Sequence, residues 1–250
     1  MRGLAAHEVL EIWDQGEGLS PSGRAALLLA IACPDYPREH VESLSIGERD
    51  TLLGHIRART FGGTVESVAT CPACRVMVEV TVDVRTIFPD TAQIASRDAS
   101  SRFPVEIAAG DFIVQAVAPT VRDVEAIVST AALEEGVRML LRRCILRAEK
   151  LGNPCEVDDL PQEVCALLEE RLAEADPQGD VHLSIHCPGC DHRWPMPFDI
   201  LAYFWSEIHL AARRLLRDIH VLASVYGWRE SDILMLSEGR RRIYLEMVGG

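Results

Sequence analysis

The sequence predicts an α+β fold that is mainly helical, with a split pair of β-hairpins joined by an insertion of one hairpin plus helices. Three observations predict it. Two Cys-Pro-x-Cys elements, Cys71-Pro72-Ala73-Cys74 and Cys187-Pro188-Gly189-Cys190, each adjoin a strand-like run. Apolar residues recur at spacings of three and four before the first element, between the two, and after the second. The 250 residues, 48% hydrophobic and 25% charged, suffice for one large core or two small ones.

Residues 4–14 read as an amphipathic helix through Leu4, Val9, Leu10, Ile12 and Trp13, ended by the loop Gly16-Glu17-Gly18. Ser20 can cap a second helix with Pro21 at its first position, where a missing N–H costs nothing; it runs through Ala32 and stops before Pro34. Ser45-Ile46-Gly47-Glu48 has the pattern of a capping box and opens a third helix through Leu52, Leu53 and Ile56 to Phe61. Gly62-Gly63 breaks it. The run Val76 to Val82 then has the β-branched alternation of a strand.

Residues 92–101 are small and polar, the composition of a loop. Val105 to Ile107 and Phe112 to Val117 flank Ala109-Gly110-Asp111 as a hairpin. Thr120 with Asp123 starts a helix, and residues 133–149 form another through Val137, Leu140, Leu141, Cys144 and Ile145. Gly152-Asn153-Pro154 is a break. Pro161 opens a helix over Val164, Leu167, Leu168 and Leu172, stopped by Asp176-Pro177. Val181 to Ile185 leads into the second cysteine pair, and the chain continues towards Trp194. The strongest helix follows, capped by Asp199 and striped by Ile200, Phe204, Ile208, Ala211, Leu215, Ile219 and Leu222 up to Gly227. A short helix through Ile233, Leu234 and Leu236 and a last one over 239–248 complete the chain. The organisation is a helical unit (1–63), a first knuckle hairpin (64–91), the insertion (92–179), a second knuckle hairpin (180–198) and C-terminal helices (199–250).

The cysteine pairs carry the chemistry. A two-residue gap lets one turn present two thiolates to a single ion, and two such turns complete a tetrahedral shell. Cys71, Cys74, Cys187 and Cys190 are therefore the candidate ligands of a structural Zn2+, and the two hairpins form a split zinc ribbon. The residue after each pair is expected at positive φ, which Asp191 accepts readily and Arg75 at some cost. A redox dithiol is the competing reading, but such pairs normally open a helix, and strand-like or helix-poor runs follow both of these. His186 and His192 flank the second pair and are expected beside the shell, not in it. Cys33, Cys144, Cys155 and Cys165 lie singly in or beside apolar helical patterns, as buried free cysteines do.

A net charge of -13 disfavours general nucleic-acid binding. Met1 to Gly16 lacks the basic start and apolar core of a signal peptide, so a reducing, cytoplasmic setting is expected, which favours metal over cystine. The longest apolar run, Ala25 to Cys33, is too short for a bilayer. No GxSxG, HExxH or Gly-rich phosphate loop is present, so no catalytic residue is expected. Arg240-Arg241-Arg242 is either a solvated helix face or a docking patch, and Trp228 and Tyr244 either cap the core or join that patch.

Two stretches resemble the baseplate-hub assembly chaperone family of contractile-tailed phages and contractile injection systems. One runs from Leu44-Ser45-Ile46-Gly47-Glu48-Arg49-Asp50 through Thr60-Phe61-Gly62 to Cys71-Pro72-Ala73-Cys74. The other runs from Cys187-Pro188-Gly189-Cys190 through Trp194, Phe198-Asp199-Ile200 and Trp205-Ser206-Glu207-Ile208 to Tyr226-Gly227-Trp228, then Asp232 to Ser237 and Arg240 to Leu245. The resemblance implies a non-enzymatic protein that acts during assembly of the hub or baseplate, with baseplate, hub or spike proteins as partners; the charge and the short apolar runs add the expectation of no nucleic acid and no membrane. It supplies no catalytic residues, and the zinc reading rests on the cysteine spacing alone. Two alternatives stand beside it: a zinc-ribbon interaction or regulatory module of another intracellular complex, and a thiol–disulfide oxidoreductase using either cysteine pair.

Overall fold

The structure is a computed structural model that describes residues 1–89, 104–127 and 132–249. Helices α1 (Ala6–Gly16), α2 (Pro21–Ala32), α3 (Arg38–Ser43) and α4 (Ile46–Phe61) come first, followed by the hairpin β1 (Thr64–Thr70) and β2 (Met77–Asp83) and the short helix α5 (Val84–Ile87). Strands β3 (Pro104–Ala109) and β4 (Phe112–Val117), helices α6 (Val121–Glu125) and α7 (Leu133–Cys144), strands β5 (Ile145–Lys150) and β6 (Asn153–Pro154) and helix α8 (Gln162–Ala175) make the insertion. A second hairpin, β7 (His182–His186) and β8 (Arg193–Pro197), leads into α9 (Ile200–Tyr226), α10 (Glu230–Leu234) and α11 (Glu238–Gly249). The architecture is α+β, with its small sheets all antiparallel.

The expected caps form. Ser20 Oγ accepts from the N–H of Gly23 at 3.1 Å with Pro21 at the first turn of α2. The Ser45–Glu48 box closes in both directions, at 3.1 and 3.0 Å. Asp199 accepts from the N–H of Ala202 at 3.0 Å, and Gly227 ends α9 in the left-handed region at φ 69. With its ends satisfied, α9 buries the stripe Ile200, Phe204, Ile208, Leu215, Ile219 and Leu222 against α1, α2 and α4. Ala212, not Ala211, is the fully buried alanine of that stripe.

The insertion has its own core. Its sheet runs β3-β4-β5-β6, and α8 lays Val164, Leu168 and Leu172 on Ile107, Phe112, Val114 and Ala148. The β3–β4 hairpin turns at Gly110, φ 57, as expected. The helix expected over 133–149 is corrected: it stops at Cys144, and Ile145–Lys150 forms β5 against β4. The physical reason is the open edge of β4, whose backbone groups need a partner, and the side-chain pattern of β5, which turns Ala148 into the core. Leu151 and Gly152, at φ 51 and 79, supply the tight turn into β6. The loop expected over 92–101 lies outside the described residues.

A polar clamp seats the insertion on the helical body. Asp176, at the end of α8, accepts from the backbone N–H of Gly47 at 2.8 Å and from Ser45 Oγ at 3.0 Å, so its carboxylate sits on the N-terminus of α4. Position 47 must be glycine here, because a Cβ would collide with that carboxylate. The bridge Ser45–Thr120 and the bond from Val121 N–H to Leu44 C=O add a second tie.

Candidate metal centre

Strands β1 and β2 pair in register from Thr64–Asp83 to Thr70–Met77, and β7 and β8 from His182–Pro197 to His186–Arg193. Each strand pair ends where its cysteine turn begins, and the two turns are built alike. In the first, the N–H of Arg75 donates to Cys71 C=O at 3.0 Å and that of Cys71 to Val76 C=O at 2.9 Å. In the second, the N–H of Asp191 donates to Cys187 C=O at 2.9 Å and that of Cys187 to His192 C=O at 2.9 Å. Arg75 and Asp191 take φ 66 and 57, the left-handed geometry expected after each pair. Both turns feed strands, whereas a redox Cys-x-x-Cys draws its acidity from a following helix.

The hairpins share a small core of Ala69, Val78, Val80 and Ile185, with Leu183, Trp194 and Met196 at the margin. This brings the four expected cysteines together across the insertion. Their Sγ atoms all lie within 4.8 Å of one another, with Cys71 3.7 Å from Cys190 and Cys74 3.5 Å from Cys187. Disulfides need about 2.05 Å, so these are four separate thiols. A tetrahedron of sulfurs about 2.3 Å from a central ion has edges of about 3.8 Å, and the cluster matches that size. Among the described residues, it is the one group of metal-ligating side chains that could hold an ion.

The electrostatics also suit a cation. Burial opposes ionisation of Cys71, yet the backbone N–H groups of Cys74 and Ala73 overcome it and pull the thiol down to about 6. The His192 N–H favours the thiolate of Cys190, but the crowding sulfurs and burial push it up to about 12. Cys71 is therefore the thiolate that forms most readily, while Cys74 and Cys190 resist ionisation beside it, an imbalance that a bound divalent cation would remove. Cys71 and Cys187 are fully buried while Cys74 and Cys190 face solvent, so the cluster sits at the ribbon's rim. His186 pairs with Asp191 at 3.0 Å and His192 stacks on Trp194; neither belongs to the sulfur cluster. Cys33, Cys144, Cys155 and Cys165 are buried or half-buried away from it, and burial pushes the Cys33, Cys155 and Cys165 thiols up.

The second group of expected site residues is partly brought together. Trp228 stacks on Tyr226 with ring centroids 4.7 Å apart and meets Tyr244 edge-on at 4.9 Å. The Arg run does not form one exposed patch. Arg240 and Arg242 face solvent, but Arg241 is buried and its Nε donates to Asp218 at 3.2 Å. The reason is helical geometry: successive residues of α11 point about 100° apart, so one of three must turn towards α9.

Two residues escaped sequence reasoning. Arg57 is almost wholly buried, with Nε and Nη2 on Glu207 at 2.8 and 2.6 Å and Nη1 on Gly62 C=O at 2.6 Å. It joins α4, its C-terminal cap at Gly62, and α9. Its signal was a charged residue next to Ile56 inside an apolar helical stripe, which asks for a buried partner. Asp176 read only as a helix stop.

Among the described residues, no helix is long and apolar enough to cross a membrane. No curated protein and no solved structure matches the chain. Residues 28–205 match the family described as T4 bacteriophage base plate protein. That span takes in both cysteine hairpins and the whole insertion and ends at Trp205, inside α9, before the aromatic cluster and α11. With most of its length covered, the chain belongs to the T4 bacteriophage base plate protein family.

Proposed function

We propose that this protein is a non-enzymatic assembly factor or structural component of the baseplate or hub of a contractile particle, located in the cytoplasm. The observation that carries the reading is the family match across both hairpins. Baseplate, hub or spike proteins are then its partners. Cys71, Cys74, Cys187 and Cys190 hold a structural zinc ion in this reading, supported by the size of the sulfur cluster and its all-thiol donor set. Four thiolates close a tetrahedral shell and leave no position for water or substrate, so the ion clips the two hairpins and does no chemistry. Trp228, Arg240, Arg242 and Tyr244 present a partner-facing surface beyond the clip, and Arg241 supports it from beneath.

Metal content and partner capture on one preparation test this. The purified chain should carry about one zinc per chain with zinc–sulfur distances of about 2.3 Å by X-ray absorption. Immobilised, it should retain hub or spike proteins co-expressed with it. Arg240→Glu with Arg242→Glu should keep folding and zinc but weaken capture, most clearly at low salt, since exposed charges are screened over about 8 Å at physiological ionic strength. A zinc-loaded chain that retains no tail protein sinks the assembly reading. A folded chain that binds no metal sinks the zinc clip.

A further inference from the structure

A groove of about 680 Å³ opens between the N-terminus of α1, the end of α4, α9 and the α10–α11 corner. Its floor is apolar, with Val9, Phe61, Leu234 and Leu245 among its walls. Its charged rim sets Arg214, Arg241 and Arg242 against Asp218 and Glu238, with Arg242 also 3.7 Å from Glu246. Asp218 is already engaged by Arg241. Arg214 is exposed and has no ion-pair partner among the described residues.

Arg241 is the telling residue. Its side chain is 8% exposed, and its Nη1 is buried with no hydrogen-bond partner among the described residues. A guanidinium offers five donors in a planar fork and is matched by carboxylates two oxygens at a time. Asp218 occupies only the Nε side. A buried charged donor without an acceptor is unfavourable, and natural structures rarely leave one without a reason. The groove also reaches the first turn of α11, where Ser237 and Glu238 line it.

From these observations we infer that the groove is a docking site for a short segment of a partner protein that presents an acidic side chain between apolar ones. The carboxylate pairs with Arg241 and Arg214, and its apolar neighbours pack on Phe61 and Leu245. The volume is that of a ligand-sized pocket, and charge complementarity selects a carboxylate-bearing peptide over a neutral or basic one. This inference rests on the partner-binding reading above and gives it a site.

The probes are acetyl-Leu-Asp-Leu-amide, its Asn analogue and inorganic phosphate, titrated into the zinc-loaded full chain and followed by methyl and arginine side-chain NMR. The acidic peptide should shift the Val9 and Leu245 methyls and the Arg241 Nε–H saturably. The Asn analogue should bind roughly tenfold weaker or less well still, as expected when a charge pair loses one partner. Arg214→Glu, a solvent-facing change, should abolish the shifts without altering melting temperature or zinc content. Arg241→Lys should weaken binding by removing the fork; if it does not fold, Arg214→Glu carries the test alone. Equal binding of the Asn analogue, shifts confined to other surfaces, or the same shifts from phosphate alone overturn the inference. Failure of capture with intact peptide binding counts against the assembly reading and leaves the groove standing.

Discussion

The ribbon and the helical body solve the same problem with different materials. The body buries large side chains from α1, α2, α4 and α9, among them Phe204, Ile12, Leu28, Leu52 and Ile208 at full burial. The ribbon's core has six buried residues among those described, and two of them are cysteines. Two isolated two-stranded hairpins are marginal at best in water, and the chain between them spans the whole insertion. The body is stabilised by apolar burial; the ribbon needs its sulfur cluster. If that holds, each region should fail under a different insult.

Cysteine replacement should produce the largest separation between the two. With zinc as the clip, Cys71→Ser or Cys187→Ser should release the metal, whose binding in small structural sites is worth about 10–16 kcal/mol. Amides of β1, β2, β7 and β8 should lose protection together in hydrogen exchange, although the two cysteines lie on different hairpins. Amides of α4 and α9 should stay protected. Loss of protection spread evenly through α9 would show that the ribbon is no separate unit.

Inside the body, Arg57 ties α4 to α9, and it gives the next effect in size. Arg57→Met removes a guanidinium that is 3% exposed and leaves Glu207, 22% exposed, without its partner. Breaking such a pair from one side costs roughly 3–5 kcal/mol, with the accessible Glu207 favouring the lower end. Chemical denaturation should show the body's midpoint falling, while elemental analysis should still find the zinc. A variant that loses metal in proportion to its stability would join what the comparison separates.

What was legible in the sequence follows the same division. The caps Ser20, Ser45, Thr120 and Asp199 and the stop Gly227 were readable because each is a local event with one chemical reason. The four cysteines were readable because spacing alone dictates how a turn offers sulfur, and even the positive φ at Arg75 and Asp191 followed from it. Strand β5 was not. Ile145 to Lys150 continues a helical pattern, and only the unpaired edge of β4, about thirty residues away in sequence, decides otherwise. Arg241 and Asp176 were misjudged for a related reason, since whether a charge is buried depends on which distant element arrives beside it.

Acid should drive the two regions in opposite directions, by the smallest of these effects. In the body, burial pushes the Asp50 carboxyl up to about 6, against the opposing pull of Arg49 at 2.7 Å. Its folded pKa lies above its unfolded value, so the folded state binds the proton more tightly. Stability from this group is gained as pH falls through about 6 and lost as pH rises through it. Asp176, also raised mainly by burial, acts in the same sense. Glu8 and Asp83, held low by Arg2 and Arg85, lose their contributions only below about pH 4. Between about pH 7.5 and about pH 5.5, wild type should therefore gain on the order of 1 kcal/mol relative to Asp50→Asn. In the ribbon the sign reverses, because thiolate ligands must shed their protons to bind metal and zinc affinity falls with acid. Hydrogen exchange across that range should show protection of α4 amides rising in wild type relative to Asp50→Asn as pH drops, once intrinsic rates are corrected. Over the same range, β1 and β7 amides should lose protection equally in both proteins. Parallel pH profiles for helix and hairpin amides would mean that one cooperative unit, and not two, answers to the acid.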